Sequence, residues 1–141
     1  MRTAFACLAG GLALGLCFAI DRPLGVALRP LHVELNVWGF VTLLIYGVAL
    51  HVVPRFAGRP LRWPRLAVAL SYAAPGGVVL ASAGWLAGWL RWPLARGVLL
   101  AGGIVEAAAA VLFIVVVGGS CGDWPGGAVR LSSSASTPPR G

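Results

Sequence analysis

Two histidines stand at opposite ends of one apolar run, "LRPLHVELNVWGFVTLLIYGVALHVVPRF", which covers residues 28–56. Histidine is uncommon in a hydrophobic helix, and its neutral ring nitrogen is a usual protein ligand of heme iron. His32 and His51 are therefore the candidate metal ligands. Asn36 follows His32 by one helical turn on the same face, where its amide could orient the imidazole, meet a heme propionate or bond a neighbouring helix.

The two histidines cannot hold one iron from within a single chain. They are nineteen residues apart, which is about 28 Å along a straight helix and about 100° around its axis. A parallel homodimer could place two copies of His32 on one heme at a two-fold axis, and two copies of His51 on a second heme. Single-histidine ligation with an open iron position, or a ligand from another subunit, are the alternatives. The short chain favours the oligomer.

Arginines flank both histidines and could pair with heme propionates. Arg29 lies before His32, and Arg55 and Arg59 follow His51. The two histidines, these three arginines and Asn36 form the candidate cofactor site.

Two glutamates fall in or beside the apolar runs. Glu34 is about 200° around the helix from His32, so we expect a solvated interfacial charge rather than a proton relay. Glu106 lies deep in the last apolar run, where we expect it to bond a polar group on another helix. Thr42, Tyr46 and Ser82 are the partners considered; a proton path or a quinol contact is the alternative.

Composition indicates an integral membrane protein. Of 141 residues, 59% are hydrophobic and 11% charged, with only four acidic side chains, whereas soluble domains carry roughly 25% charged residues. Four apolar runs approach or reach the ~17–25 residues that span a bilayer. They predict an all-α four-helix transmembrane bundle over residues 1–118, with helices at about 4–20, 33–53, 67–90 and 97–117.

The first run also resembles a signal peptide with Arg2 as its basic region. Its near-spanning length and the poor cleavage site at Cys17-Phe18-Ala19 favour an uncleaved helix. The tail, residues 119–141, is polar and rich in proline and serine, which predicts disorder.

All eleven basic residues are arginine, and seven of them lie on the side of the two termini against four on the other. The positive-inside rule therefore places both termini in the cytoplasm of a bacterial inner membrane. The arginines form no basic patch interleaved with aromatic residues, so we expect lipid and not nucleic acid as a partner. The three cysteines form no CxxC or CxxCH motif, and no hydrolase triad or phosphate-binding glycine loop is present.

The segment "LRPLHVELNVWGF…YGVALHVVPR" resembles the second transmembrane helix of the heme-copper oxidase and nitric-oxide reductase catalytic subunit. In that family the opening histidine of this helix is an axial ligand of the low-spin heme, which implies the same role for His32. The "HVVPRFAGRP" exit is also similar to small four-helix relatives of that subunit. The resemblance covers residues 28–60, and the family's copper and high-spin heme ligands have no counterpart here. We therefore expect no oxygen or nitric-oxide reduction by this chain alone.

These observations predict a membrane protein that binds heme b for electron transfer or for binding nitric oxide or oxygen. It would act as a homo-oligomer, a dimer or larger, or as an accessory of a respiratory complex. The alternative is a cofactor-free structural or assembly subunit of a membrane oxidase complex.

Overall fold

A computed structural model describes residues 1–58 and 60–121. Over these residues the chain is all-α, with four helical spans that are long and apolar enough to cross a membrane. The helices are α1 (Arg2–Ile20), α2 (Arg22–Val33), a π-helical segment (Glu34–Thr42), α3 (Leu43–Ala57), α4 (Pro64–Trp89) and α5 (Ala95–Cys121). The predicted four-span helical fold is thus confirmed, and the cytoplasmic placement of the termini stays a prediction. Arg59 and residues 122–141, which include most of the predicted disordered tail, lie outside the described residues.

The second span comprises α2, the π-helical segment and α3, and it begins at Arg22 rather than near residue 33. Asp21 alone separates α1 from α2, and its Oδ1 accepts a hydrogen bond from the Leu24 backbone amide at 3.1 Å. Pro23 occupies the first turn, where its missing N–H removes no helical hydrogen bond. Arg29 consequently lies on a helix and not in a loop.

Glycine lets the helices approach the second span from two sides. A Cβ atom added to Gly39 would lie 2.8 Å from Cys7 Sγ on α1 and 3.2 Å from Val78 Cγ1 on α4. Because real Cβ atoms do not come so close to other atoms, a larger residue here would push both neighbours away. Close packing through small residues is the usual means of holding membrane helices together.

Helices α4 and α5 form the most closely packed pair. A Cβ atom at Gly84 would lie 2.6 Å from the Leu99 Cα atom, and one at Gly77 would lie 2.8 Å from Glu106 Cγ. The helices thus approach closely at Gly77, within the Pro75-Gly76-Gly77 sequence of α4.

The middle of the second span is π-helical. The Thr42 hydroxyl donates a 3.0 Å hydrogen bond to the carbonyl of Val37, five residues earlier. This widened segment directs Trp38 and Thr42 toward α4 and α5, where both line a cavity beside Glu106. Such π-helical interruptions are rare and often occur at functional sites.

Candidate functional site

His32 is half-buried where α2 faces α1, and one hydrogen bond to α1 holds its ring. Nδ1 lies 2.9 Å from the Gly11 carbonyl oxygen. Because a carbonyl oxygen can only accept, we assign the proton to Nδ1, and Nε2 keeps its lone pair. A histidine that ligates a metal commonly donates its other N–H to a backbone carbonyl in this way.

Asn36 supports the same turn of helix. Its Nδ2 donates to the His32 carbonyl oxygen at 2.7 Å and lies 3.5 Å from His32 Nδ1, which is too long for a strong hydrogen bond. The predicted proximity of Asn36 and His32 is confirmed. The amide holds the backbone that carries the imidazole, rather than bonding the ring itself.

The imidazole ring rests on a glycine of α1. A Cβ atom added to Gly15 would lie 3.0 Å from His32 Cε1, and the Phe18 ring centroid is 5.5 Å from the imidazole centroid at a 57° tilt. Gly15 thus provides the space in which the ring lies. Phe18 covers one side of it with an apolar surface.

His32 also lines an open groove between α1 and α2, which we call the histidine groove. Its volume is about 420 Å³, within the usual range for a small-molecule site. It is lined by Phe18, Arg22, Gly25, Val26, Arg29 and His32. The groove therefore joins a free imidazole nitrogen to two guanidinium groups, which suit a ligand carrying carboxylates. Arg29 was the predicted propionate partner of this site. Arg22 also lines the groove, because α2 begins at Arg22, directly after its cap residue Asp21.

His51 and Arg55 lie on α3, toward the other end of the second span, and both are exposed. Neither approaches the histidine groove. Within the described ranges 1–58 and 60–121, no cluster of three or more histidine, cysteine or acidic residues is arranged to hold a metal ion. The proposed roles of His51 and Arg55 remain predictions.

Glu34 and Glu106 form a buried pair that the sequence analysis did not anticipate. The exposed fractions of Glu34 and Glu106 are 8% and 7%, and the two carboxyl groups lie close enough to interact electrostatically. The expectation of a solvated Glu34 is therefore wrong, because the helix face that carries Glu34 lies against Glu106 of α5 and not against water.

Each carboxyl of the pair also keeps an oxygen without a partner. Oε1 of Glu34, Oε1 of Glu106 and the Ser82 hydroxyl are buried and make no hydrogen bond in the described parts of the chain. Glu106 borders a cavity of about 10 Å³ with Thr42 and Tyr46, close to the size of one water molecule. Thr42 and Tyr46 are thus neighbours of Glu106, as expected, but the polar group beside its carboxyl is Glu34. The useful sequence signal was that ionisable groups at membrane depth usually pair with one another.

Replacing Glu106 with leucine should leave the Glu34 carboxyl buried without its partner. We expect the free energy of unfolding to fall by about 1–3 kcal/mol, the usual cost of an unsatisfied buried polar group. Glu106→Gln keeps a hydrogen-bonding side chain and should lose less. The double variant Glu34→Leu/Glu106→Leu removes both partners and should regain stability relative to Glu106→Leu alone. Unfolding in dodecyl sulfate, followed by circular dichroism, measures all three; equal stability of Glu106→Leu and the wild type would contradict a stabilising pair.

Comparison of the chain with protein-family models, curated proteins and solved structures gives a single result. None of them matches. The resemblance of residues 28–60 to the second helix of heme-copper oxidases therefore remains a prediction from those residues.

Proposed function

We propose that this chain binds heme b through Nε2 of His32 and serves in electron transfer or in binding a diatomic gas. The observation that supports this proposal is the hydrogen bond between Nδ1 and the Gly11 carbonyl. It fixes the tautomer whose free Nε2 can ligate iron. The heme would supply a redox-active iron, or an iron able to bind nitric oxide or oxygen.

The other residues of the histidine groove suit the same cofactor. Arg22 and Arg29 line the groove with His32, and their guanidinium groups can bind the two propionates of a heme. Phe18 and Val26 give the groove apolar surface that a macrocycle could contact. Gly15 leaves the space that the imidazole ring needs. These residues fit a heme held by one imidazole of this chain.

The exposed apolar surface of the four spans also fits a role beside a respiratory complex. A cofactor-free structural or assembly subunit of such a complex is the competing function, and in it the His32–Gly11 hydrogen bond would only fasten α1 to the second span. We favour heme binding because a purely structural contact does not require two arginines beside the imidazole.

The absorption spectrum of the detergent-purified protein, expressed with added heme precursor, tests the proposal. We expect a Soret band and a reduced α-band, with heme per chain quantified as the pyridine hemochromogen. An unchanged reduced spectrum under carbon monoxide would indicate a six-coordinate iron and electron transfer. A shifted spectrum would indicate an open iron position and gas binding. A folded preparation without any Soret band would contradict the proposal and leave the structural subunit.

A further inference from the structure

The carboxyl groups of Glu34 and Glu106 lie near the middle of the bundle. Glu34 is twelve residues beyond the start of the second span at Arg22, and Glu106 is eleven residues beyond the start of α5 at Ala95. Both are therefore about 17 Å from the end where these helices begin, roughly half the thickness of a hydrocarbon core. Both side chains are more than nine-tenths buried, and each keeps Oε1 without a hydrogen-bond partner among the described residues. These two buried oxygens are free to bind a ligand.

Cavities connect Glu106 with the end of the bundle where the chain begins. The water-sized cavity lined by Glu106, Thr42 and Tyr46 adjoins a cavity of about 130 Å³. Tyr46 lines both, so the two cavities are neighbours. The larger one reaches Thr3 and the exposed Met1, whose terminal ammonium group belongs at the membrane–water boundary. Water at this boundary is therefore two cavities away from Glu106.

A groove on the other side of the pair leads toward the opposite end of the bundle. Glu34 lines an open groove of about 400 Å³ together with Arg29 and Trp85. Trp38 lines both this groove and the water-sized cavity beside Glu106. Arg29 is exposed, and a guanidinium group near a helix end extends to water or lipid headgroups. The pair therefore lies between two spaces that open toward opposite ends of the bundle.

Few charged or titratable groups face the pair from the helices packed around it. Within the described part of the chain, Arg29 lies on the same span as Glu34, α3 contributes Tyr46, α1 contributes the buried Cys7 thiol, and α4 contributes none. The described residues around the cavity beside Glu106 include no basic side chain. An ionised carboxylate is costly at this depth, and two neighbouring ones also repel each other. A bound proton removes one of those charges and needs no further ligand.

We propose that the Glu34–Glu106 pair is the proton-binding centre of a path that conducts protons across the membrane. A proton from water in the groove binds a carboxylate oxygen of Glu34, passes to Glu106, and leaves through water in the cavity toward Tyr46. Each transfer forms one O–H bond as another breaks, so no electron moves and no co-reactant is consumed. Sequence reasoning offered a proton path only as an alternative for Glu106, and the burial of Glu34 beside it adds the second carboxyl. This activity is independent of the proposed heme.

Proton flux into lipid vesicles tests the proposal. The purified protein, in phosphatidylcholine vesicles that contain the pH indicator pyranine, should conduct protons when valinomycin and a potassium gradient set a membrane potential. Glu34→Gln and Glu106→Gln should each reduce the flux to the leak of protein-free vesicles, because an amide cannot take up and release the proton. Asp21→Asn is the matched control. It removes a carboxyl outside the path, keeps a side chain suited to capping α2, and should keep the wild-type flux.

Chemical labelling of the wild-type protein provides a readout that needs no substitution. Dicyclohexylcarbodiimide reacts with protonated carboxyl groups in apolar surroundings, so we expect a covalent adduct on Glu34 or Glu106 and a parallel loss of flux. Mass spectrometry of peptides identifies the modified residue. Asp21 is exposed and should stay unmodified. Labelling should slow as the pH rises, because a deprotonated carboxylate does not react.

The outcomes separate this inference from heme binding. A folded protein whose vesicles conduct no better than protein-free ones would overturn the path, whether or not heme is bound. Wild-type flux in both glutamine variants, or an adduct on the pair that leaves the flux unchanged, would also overturn it. A flux that follows a sodium gradient and not the pH gradient would identify sodium as the conducted ion instead. Proton conduction by a protein that binds no heme would support the path and contradict the proposed function alone.

Discussion

We expect His32→Gln to remove the reduced α-band proposed for the purified protein, whereas His51→Gln should leave it in place. Glutamine keeps a polar side chain of similar reach but lacks the imidazole nitrogen that binds iron. Changes to residues behind a metal ligand already cost about 10–100-fold in affinity, so loss of the ligand itself should cost at least ~100-fold. The measurement is heme per chain after purification and after titration with hemin.

Retention of the wild-type fold is the control for the two histidine variants. Both variants should insert in the membrane and give the helical circular dichroism of the wild type, because each change affects one side chain at a partly or fully exposed site. Heme retained in His32→Gln but lost in His51→Gln would move the site to the other end of the second span. Heme retained in both single variants would contradict ligation by His32 alone.

Gly102→Val should clearly lower the stability of the bundle. A Cβ atom at residue 102 would lie 2.7 Å from the Ala81 Cα atom of α4, and backbone atoms cannot move aside as a flexible side chain can. Forcing extra carbon atoms into a packed contact costs about 1–3 kcal/mol. We expect a lower unfolding midpoint in dodecyl sulfate and increased proteolysis between α4 and α5.

Gly103→Val is the matched control, since nothing lies within 4 Å of a Cβ atom at the next residue. It introduces the same side chain one position along the same helix, so it carries the same change in helix propensity. A comparable loss of stability in both variants would show that propensity, and not the contact with Ala81, determines the effect.

Sequence reasoning predicted the spans well because a bilayer demands long apolar helices and leaves few alternatives. It placed the start of the second span wrongly, since Arg22-Pro23 and Arg29-Pro30 read as a charged, proline-rich loop. In the structure Asp21 caps the helix and Pro23 fits its first turn, so one residue suffices for the turn. The helix cap at Asp21 thus determined the structure of this stretch more than its composition did.

The candidate site was only partly predictable for a different reason. The pairing of His32 with Asn36 follows from α-helical spacing and was predicted correctly. The angle assigned to His51 assumed about 100° per residue throughout, and the π-helical segment between His32 and His51 breaks that relation. For Glu34 the error was different: the face away from His32 was expected to meet solvent, and it is buried. No sequence pattern predicted the π-helix.

Because a chain is synthesised from its N-terminus, the hairpin formed by α1 and α2 is made before the rest of the fold. Every residue that lines the histidine groove, and the Gly11 carbonyl that bonds its imidazole, occurs before residue 36. Residues of α4 and α5 contribute nothing to that groove, although Glu106 must arrive before the buried carboxyl pair can form. The groove is therefore complete after about the first quarter of translation, so a ligand of the groove need not wait for α4 and α5 to enter the membrane.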